Sequence, residues 1–292
     1  MNVTTVGDMR AGTVENRENG KRGGTSGRNT PRPRTVAGYA RTMTHLGIDL
    51  APIPAGTVTL RDARSGSIRE VLLRSFKMAT TALTNAAFHQ SDATDQPRTP
   101  AHGITWFDAI EWCNHASADA GYTPAYTLRG ESVDWDVSAD GFRLPTEAEW
   151  EFACRAGTTT PTYAPLDDIA WTSADAVAGP QPVGLKLPNA FGLFDMIGNV
   201  WEWCWDYADT ARYGAYRSIR GGGWADPVWS SRASVRRASA PDAVIEDIGF
   251  RVARGAVGAS GRRATQGWSA EADAQRASLG GPRPVGWTPL RP

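Results

Sequence analysis

The stretch FRLPTEAEWEFACRAG at residues 142–157 carries a start signal and a stop signal for a helix. Thr146 is followed three residues later by Glu149, the spacing of a capping box, in which each side chain binds the other residue's backbone N–H. Gly157 can adopt the left-handed conformation that ends many helices. The stretch therefore predicts a short helix that begins after Thr146 and ends before Gly157.

The charged residues of this stretch favour a structural role over a catalytic one. Helical spacing puts Glu147 and Glu151 on one face and Glu149 on another, so the three carboxylates do not converge. Acid–base catalysis needs groups that reach the same substrate atoms. We interpret Arg143 and the glutamates as a capped helix held by buried ion pairs.

Similar signals precede and follow this stretch. Thr105 and Asp108 form a second capping box, and Gly121 can end the helix that starts there. A shorter helix is expected after Thr84. Short strands are expected at three apolar segments: 48–60, 68–80 and 248–254. A turn-forming segment separates the first two.

Composition predicts long loops between these elements. The chain has 31 Gly, 19 Pro and 12 Trp among 292 residues. Glycine and proline shorten regular elements, and tryptophan fills the space that loops leave. With two main helices and short strands, the expected fold is an irregular α+β domain.

The charges are distributed unevenly. Residues 1–40 hold seven Lys or Arg against three acidic residues, and 254–292 hold six against two, which leaves 18 basic and 26 acidic residues in 41–253. An acidic body argues against nucleic-acid binding. We expect a disordered basic extension at 1–43, one domain at 44–254 and a flexible tail at 255–292, in which Trp268 and Trp287 could dock.

Targeting signals and metal-binding motifs are weak. No apolar run is long enough to span a membrane, and the N-terminus lacks the apolar segment of a secretory signal, so a cytoplasmic location is expected. Cys113, Cys154 and Cys204 are too few and too far apart for a disulfide framework or a zinc site, and their apolar surroundings predict buried thiols. The four histidines show no H-x-x-x-H-x-E pattern.

A possible metal site lies in NAFGLFDMIGNVWEWCWD at 189–206. Asp195 and Glu202 bracket a glycine-containing turn whose carbonyls can point inward. Carboxylate and carbonyl oxygens are the ligands that calcium takes. The alternative is a metal-free turn in which Asn199 and Glu202 bind backbone groups.

The stretch IRGGGWADPVWSSRASVRR at 219–237 predicts an open surface. Three consecutive glycines precede Trp224, Trp229 follows, and arginines flank the segment. The segment contains neither cysteine nor histidine. Aromatic anchors with arginine and a carboxylate are common in binding sites.

In order along the chain, 142–157, 189–206 and 220–254 resemble the formylglycine-generating enzyme/sulfatase-modifying factor family, as do the earlier segments PIPAGTVTL, TALTNAAF and ITWFDAIEWCN. The resemblance implies a variant of the C-type lectin fold, with small twisted antiparallel sheets, two main helices and long ordered loops. It also implies a structural calcium ion. Its ligands would be two side chains and two backbone carbonyls: Asp195, Gly198, Val200 and Glu202.

The resemblance fails at the reactive positions. Aerobic members of the family oxidise a substrate cysteine with copper and oxygen, using two cysteines six and eleven residues after the arginine of RGGS. Counted from Arg220, these positions hold Asp226 and Ser231, and Gly223 and Pro227 replace two accessory residues. A carboxylate and a hydroxyl are not the soft ligands that select Cu(I), so copper binding is not expected.

Three functions follow as expectations. The first is a member that binds a small molecule, a peptide or a protein without generating formylglycine. The second is a cysteine-independent oxidoreductase or oxygenase of secondary metabolism, with Asp226 as base or metal ligand. The third is a formylglycine-generating oxidase acting on a sulfatase cysteine. The expected ligand-binding residues are Trp201, Trp224, Asp226, Trp229, Ser231 and Arg232.

Overall fold

The computed structural model describes residues 42–44, 46–61, 68–208 and 215–273. All of them belong to one unit, Val36–Pro292. The predicted extension 1–43 and the last part of the predicted tail, 274–292, lie almost wholly outside the described residues.

Within the described residues the helices are α1 Asn85–His89, α2 Trp106–Asp119, α3 Glu147–Arg155 and α4 Leu166–Ile169. Short 3-10 turns occur at Ser173–Asp175 and Val228–Ser230. No helix in this part of the chain has the length and apolarity needed to cross a bilayer.

The strands are β1 Thr42–Met43, β2 Asp49–Ile53, β3 Gly56–Arg61, β4 Ile68–Leu73, β5 Phe76–Ala79, β6 Tyr126–Arg129, β7 Ser132–Trp135, β8 Phe142–Arg143, β9 Trp201–Tyr207, β10 Arg217–Arg220, β11 Arg236–Ser239, β12 Ile248–Phe250, β13 Ala253–Arg254, β14 Ala264–Thr265 and β15 Trp268–Ser269. One sheet has the order β1-β2-β5-β13-β8, a second has the order β11-β10-β9-β12, and β3-β4, β6-β7 and β14-β15 are hairpins. Every pairing is antiparallel except that of β12 with β9. The predicted α+β architecture with small antiparallel sheets is confirmed.

The helix predictions are confirmed at their caps. Thr105 and Asp108 close a capping box at the start of α2, and Thr146 and Glu149 do so at the start of α3. Thr84 caps α1 through a bond from the backbone N–H of Ala87. Local side-chain chemistry therefore decides where these helices begin.

The prediction of two strands at 48–60 and 68–80 is wrong in number, because the structure divides each segment into two. β2 pairs with β5 in the five-stranded sheet, whereas β3 pairs with β4 in a separate hairpin. Between β4 and β5, both backbone groups of Arg74 bind the side chain of Gln266, at 2.8 and 3.1 Å. A residue far along the chain thus satisfies the backbone where the strand breaks.

Tryptophans fill the core between the loops. Trp106, Trp150, Trp201 and Trp203 are all 1% exposed or less. Their indole N–H groups find acceptors within the protein; that of Trp106, for example, donates to a backbone carbonyl at 3.0 Å. Burial of these large side chains is favourable because each polar edge is also satisfied.

The cysteines are buried as predicted. Cys113, Cys154 and Cys204 are free thiols. Burial raises the pKa of each thiol far above its ordinary value. None of the three can therefore supply a thiolate at neutral pH.

Buried ion pairs fix α3, as predicted. Arg143 makes two bonds to Glu149, of 2.6 and 2.7 Å, and both side chains are fully buried. Glu151 pairs with Arg155 at 2.8 Å and also with Arg220. The bidentate geometry is the strong form of such a contact.

The segment 248–254, predicted as one strand, forms two strands that belong to different sheets. β12 ends the four-stranded sheet, and β13 lies between β5 and β8 in the five-stranded sheet. Arg251 lies at the crossing and is fully buried. Its guanidinium binds Glu202 and the carbonyls of Ala79 and Phe194, so one side chain joins segments of both sheets.

The predicted flexible tail is ordered over 255–273, and Trp268 is buried there in agreement with the expectation that it could dock. Trp268 is 7% exposed and packs against the rings of Trp135 and Trp205, with centroids 5.3 and 5.6 Å away. The side chain of Gln266 donates to Glu149 at 2.7 Å. Aromatic burial and this buried hydrogen bond order the segment despite its many small residues.

Candidate functional site

Asp226 and Ser231, which hold the positions of the family's two active-site cysteines, both lie close to Gly222. Gly221 and Gly222 have φ values of +100° and +90°, which strain any other residue. A Cβ on Gly222 would lie 3.7 Å from Ser231 Oγ and 4.0 Å from Asp226 Oδ2. The glycine turn therefore brings the carboxylate and the hydroxyl to the same place.

Asp226 is held by three donors. Its Oδ2 accepts from the indole Nε1 of Trp201 at 2.6 Å and from the backbone N–H of Gly223 at 2.8 Å. Its Oδ1 pairs with Arg237 Nη2 at 2.8 Å. Because Asp226 is only 6% exposed, these bonds replace the water that a buried carboxylate loses.

Arg237 covers the ring of Trp201. Its guanidinium carbon lies 4.7 Å from the ring centroid, a cation–π distance. The neighbouring Arg236 binds Glu147 at 2.7 Å instead, because successive side chains on strand β11 point to opposite faces.

Asp247 completes the group on the other side of the glycine turn. A Cβ on Gly223 would lie 2.5 Å from Asp247 Oδ2, so the serine that the family motif has at this position would require the side chain of Asp247 to shift. Burial raises the pKa of Asp247, and the negative charge of Asp226 raises it further. We call the five residues Trp201, Asp226, Ser231, Arg237 and Asp247 the Asp226 site.

The hydroxyl of Ser231 is weakly engaged. Ser231 is 3% exposed, and its Oγ has a contact of 3.5 Å with the carbonyl of Pro227. This length is the outer limit of a hydrogen bond.

The predicted open surface is smaller than expected. Trp229 is 73% exposed and Trp224 is half-buried, but Trp201, Asp226 and Ser231 are buried. Arg232 donates to the carbonyl of Trp229 at 2.6 Å. The expectation that the stretch 219–237 presents Asp226 and Ser231 on an open surface is corrected, because both side chains are buried.

Of the carboxylate oxygens of the predicted calcium ligands, both oxygens of Glu202 and one of Asp195 have protein partners, whereas the buried Asp195 Oδ1 has no hydrogen-bond partner among the described residues. Glu202 accepts from Arg251 Nη2 at 2.8 Å with one oxygen and from Trp150 Nε1 at 2.7 Å with the other. Asp195 accepts from the backbone N–H of Gly184 at 2.8 Å. A cation beside Arg251 would be repelled, so Glu202 does not fit a calcium site.

The described residues also contain no group of three or more His, Cys, Asp or Glu side chains arranged to hold a metal ion. The backbone carbonyls of Gly198 and Val200 remain as possible ligands, without the carboxylate of Glu202. The calcium ion stays a prediction, and the pairing of Glu202 with Arg251 argues against it.

Asp195 gives a pH dependence with a defined sign. Burial raises its pKa to about 6, above the value of about 3.9 in an unfolded chain. The stability that neutral Asp195 contributes is complete below the unfolded pKa and is lost as the pH rises through the folded pKa. The wild type should therefore lose stability as the pH rises from about 4 to about 6. In denaturant titrations over this range, the difference in free energy of unfolding between Asp195→Asn and the wild type should shift in favour of the variant. A difference independent of pH would contradict this.

Arg237 and Asp247 were not predicted as site residues. Arg237 belongs to the basic flank of the quoted stretch 219–237, and the alternation of β11 would have separated it from Arg236. Asp247 has no such signal, because its approach to Gly223 depends on the path of the chain before β12.

Comparisons with known proteins agree with the fold. The chaperone protein LppX of Paenibacillus barcinonensis is 32% identical over 194 residues, covering 53% of this chain and 69% of that protein. The inactive C-alpha-formylglycine-generating enzyme 2 of Bos taurus is 26% identical over 268 residues, covering 72% and 89%. The solved structure of Treponema denticola variable protein 1 superposes with a TM-score of 0.64 at 26% identity, covering 71% and 95%.

The match to a family model is more extensive than the separate motifs. The model of the sulfatase-modifying factor enzyme 1-like domain matches residues 41–256. This range includes both main sheets and every residue of the Asp226 site. The chain therefore belongs to the sulfatase-modifying factor enzyme 1-like domain family.

Proposed function

We propose that this chain is a binding member of its family that does not generate formylglycine. The observation that carries the proposal is the state of Asp226, which stands at a cysteine position, is buried, and is bonded by Trp201, Gly223 and Arg237. A carboxylate is a hard ligand and does not replace the soft thiolates that select Cu(I). Asp226 instead stabilises the shape of the site.

The cysteines elsewhere in the chain do not replace the missing pair. All three are buried in the core, and burial raises the pKa of each thiol. Copper-dependent oxidation of a substrate thiol would require accessible thiolates. The similarity to a Bos taurus protein named as inactive is consistent with a fold that persists without this chemistry.

Exposed apolar side chains lie on the two segments that carry Asp226 and Asp247. Val228 and Trp229 are 48% and 73% exposed on one loop, and Val244 and Ile245 are 72% and 38% exposed on another. The two loops approach each other where Asp247 meets Gly223. Exposed apolar side chains beside a polar site are typical of ligand or partner binding.

Aerobic incubation with copper and a sulfatase-type cysteine peptide tests the proposal. The wild-type protein is expected to leave the peptide cysteine unchanged in mass spectrometry, and a family enzyme with both cysteines serves as the positive control. The variant Asp226→Cys with Ser231→Cys should bind Cu(I) but turn over poorly, because Gly223 and Pro227 lack the accessory groups.

Two outcomes would overturn the proposal. One is conversion of the peptide cysteine to formylglycine by the wild-type protein. The other is stoichiometric copper or iron in elemental analysis of the purified protein, which would favour the oxidoreductase alternative. Melting curves of the double variant establish that it is folded.

A further inference from the structure

Arg237 occupies a slot that has the chemistry of a cation-binding site. One wall is the ring of Trp201, with the guanidinium carbon 4.7 Å from its centroid, and the base is Asp226 Oδ1, 2.8 Å from Arg237 Nη2. An aromatic face and a carboxylate together recognise ammonium and guanidinium groups in proteins. The guanidinium of Arg237 thus shows the kind of group that the slot can bind.

The slot has more negative than positive charge. Asp226 and Asp247 are close enough for the charge of one to act on the other, and Glu246 adds to it, whereas Arg237 is the cation that opposes them. Arg237 therefore pairs directly with Asp226 and acts on Asp247 through its charge. A second cation, or a better placed one, would relieve this repulsion.

Arg237 is also free to leave. Its side chain is 48% exposed, although Trp201 beneath it is 1% exposed. Release into water restores the hydration of the guanidinium, and the cation of a ligand would replace it as the partner of the buried Asp226 carboxylate. When Arg237 swings out, the face of Trp201 and one oxygen of Asp226 become accessible, whereas the indole and Gly223 bonds still hold the carboxylate in place.

We propose that the Asp226 site binds a guanidinium or ammonium group of its ligand, which displaces Arg237 from between Trp201 and Asp226. The inference rests on the proposed binding function and names the ligand class. Trp229 and Val228, which are exposed on the segment that follows Asp226, would contact the apolar part of such a ligand, as expected for a basic side chain within a peptide or for an amine with an apolar body.

Titration with N-acetyl-arginine amide, followed by the indole N–H signal of Trp201 in NMR, tests the proposal. The signal is assigned from its loss in Trp201→Phe. Because Arg237 competes for the slot in the wild type, the Arg237→Ala variant should bind the compound at least about tenfold more tightly. N-acetyl-citrulline amide, which has a similar shape without the charge, is the matched ligand control. Arg129→Ala, which removes an exposed arginine of the β6–β7 hairpin and leaves the slot occupied, is the matched protein control and should behave as the wild type.

The outcomes separate clearly. Loss of the tighter binding when Asp226→Asn is added to Arg237→Ala supports the slot. No shift of the Trp201 signal in Arg237→Ala, or equal shifts with the citrulline compound, overturns the proposal. Melting curves verify folding, and Arg237→Gln replaces the alanine variant if that variant is unfolded. The titration involves no oxidation, so its failure leaves the proposed binding function standing, and peptide oxidation would overturn that function without affecting the slot.

Discussion

Replacement of Glu202 by glutamine is expected to lower the free energy of unfolding by about 3–5 kcal/mol, because it leaves a buried charge without its partner. Arg251 is fully buried and Glu202 is 1% exposed. Glutamine retains the shape and can still accept from Trp150 Nε1, which is 2.7 Å from the carboxylate. The loss therefore isolates the charge of the pair. Equilibrium denaturation in urea measures it.

A matched control and a chelator complete this experiment. Glu111→Gln, on the exposed face of α2, should change the free energy of unfolding by no more than about 0.5 kcal/mol. If Glu202 pairs with Arg251 and binds no calcium, a calcium chelator should leave the melting temperature of the wild type unchanged. If the chelator lowers that temperature by several degrees and Glu202→Gln abolishes the response, the calcium site is restored and our account of Glu202 is wrong.

Replacement of Trp268 by alanine is expected to lower the free energy of unfolding by about 3–5 kcal/mol, the usual loss for a large aromatic side chain in a core. Trp268 packs against Trp135 and Trp205, and its indole N–H donates to Asp273 at 2.7 Å. The same substitution at Trp229, which is 73% exposed, should change stability by no more than about 0.5 kcal/mol. Equal effects at the two positions would show that 255–273 is not part of the core.

The sequence predicted best what depends on near neighbours. The capping boxes at Thr105 and Thr146 need only residues three positions away, and both are present. The family motifs gave the fold class and marked Asp226 and Ser231 as the altered positions. The structural role of the glutamates on α3 also followed from their helical spacing.

Long-range pairing explains what the sequence did not predict. Arg251, the partner of Glu202, lies 49 residues away along the chain. The local sequence therefore gave no sign of this pair, and Glu202 was interpreted as a metal ligand. Gln266 binds Arg74 over a separation of 192 residues, so the strand break had no local signal, and in the ordered segment 255–273 the sequence indicated only that Trp268 could dock. Burial of Asp226 likewise depends on Trp201 and Arg237, which come from two other strands.

The central position of β13 in the five-stranded sheet has a consequence for synthesis of the protein. β13 pairs with both β5 and β8, through Ala253 with Met78 and Arg143. Until residue 254 has left the ribosome, β5 and β8 have no strand between them, and their apolar faces have no complete sheet. Folding of such non-local topologies is slow, because distant segments must first meet. Nascent chains ending before β13 should therefore remain open to proteases and to aggregation, and protection should appear only after β13 has emerged.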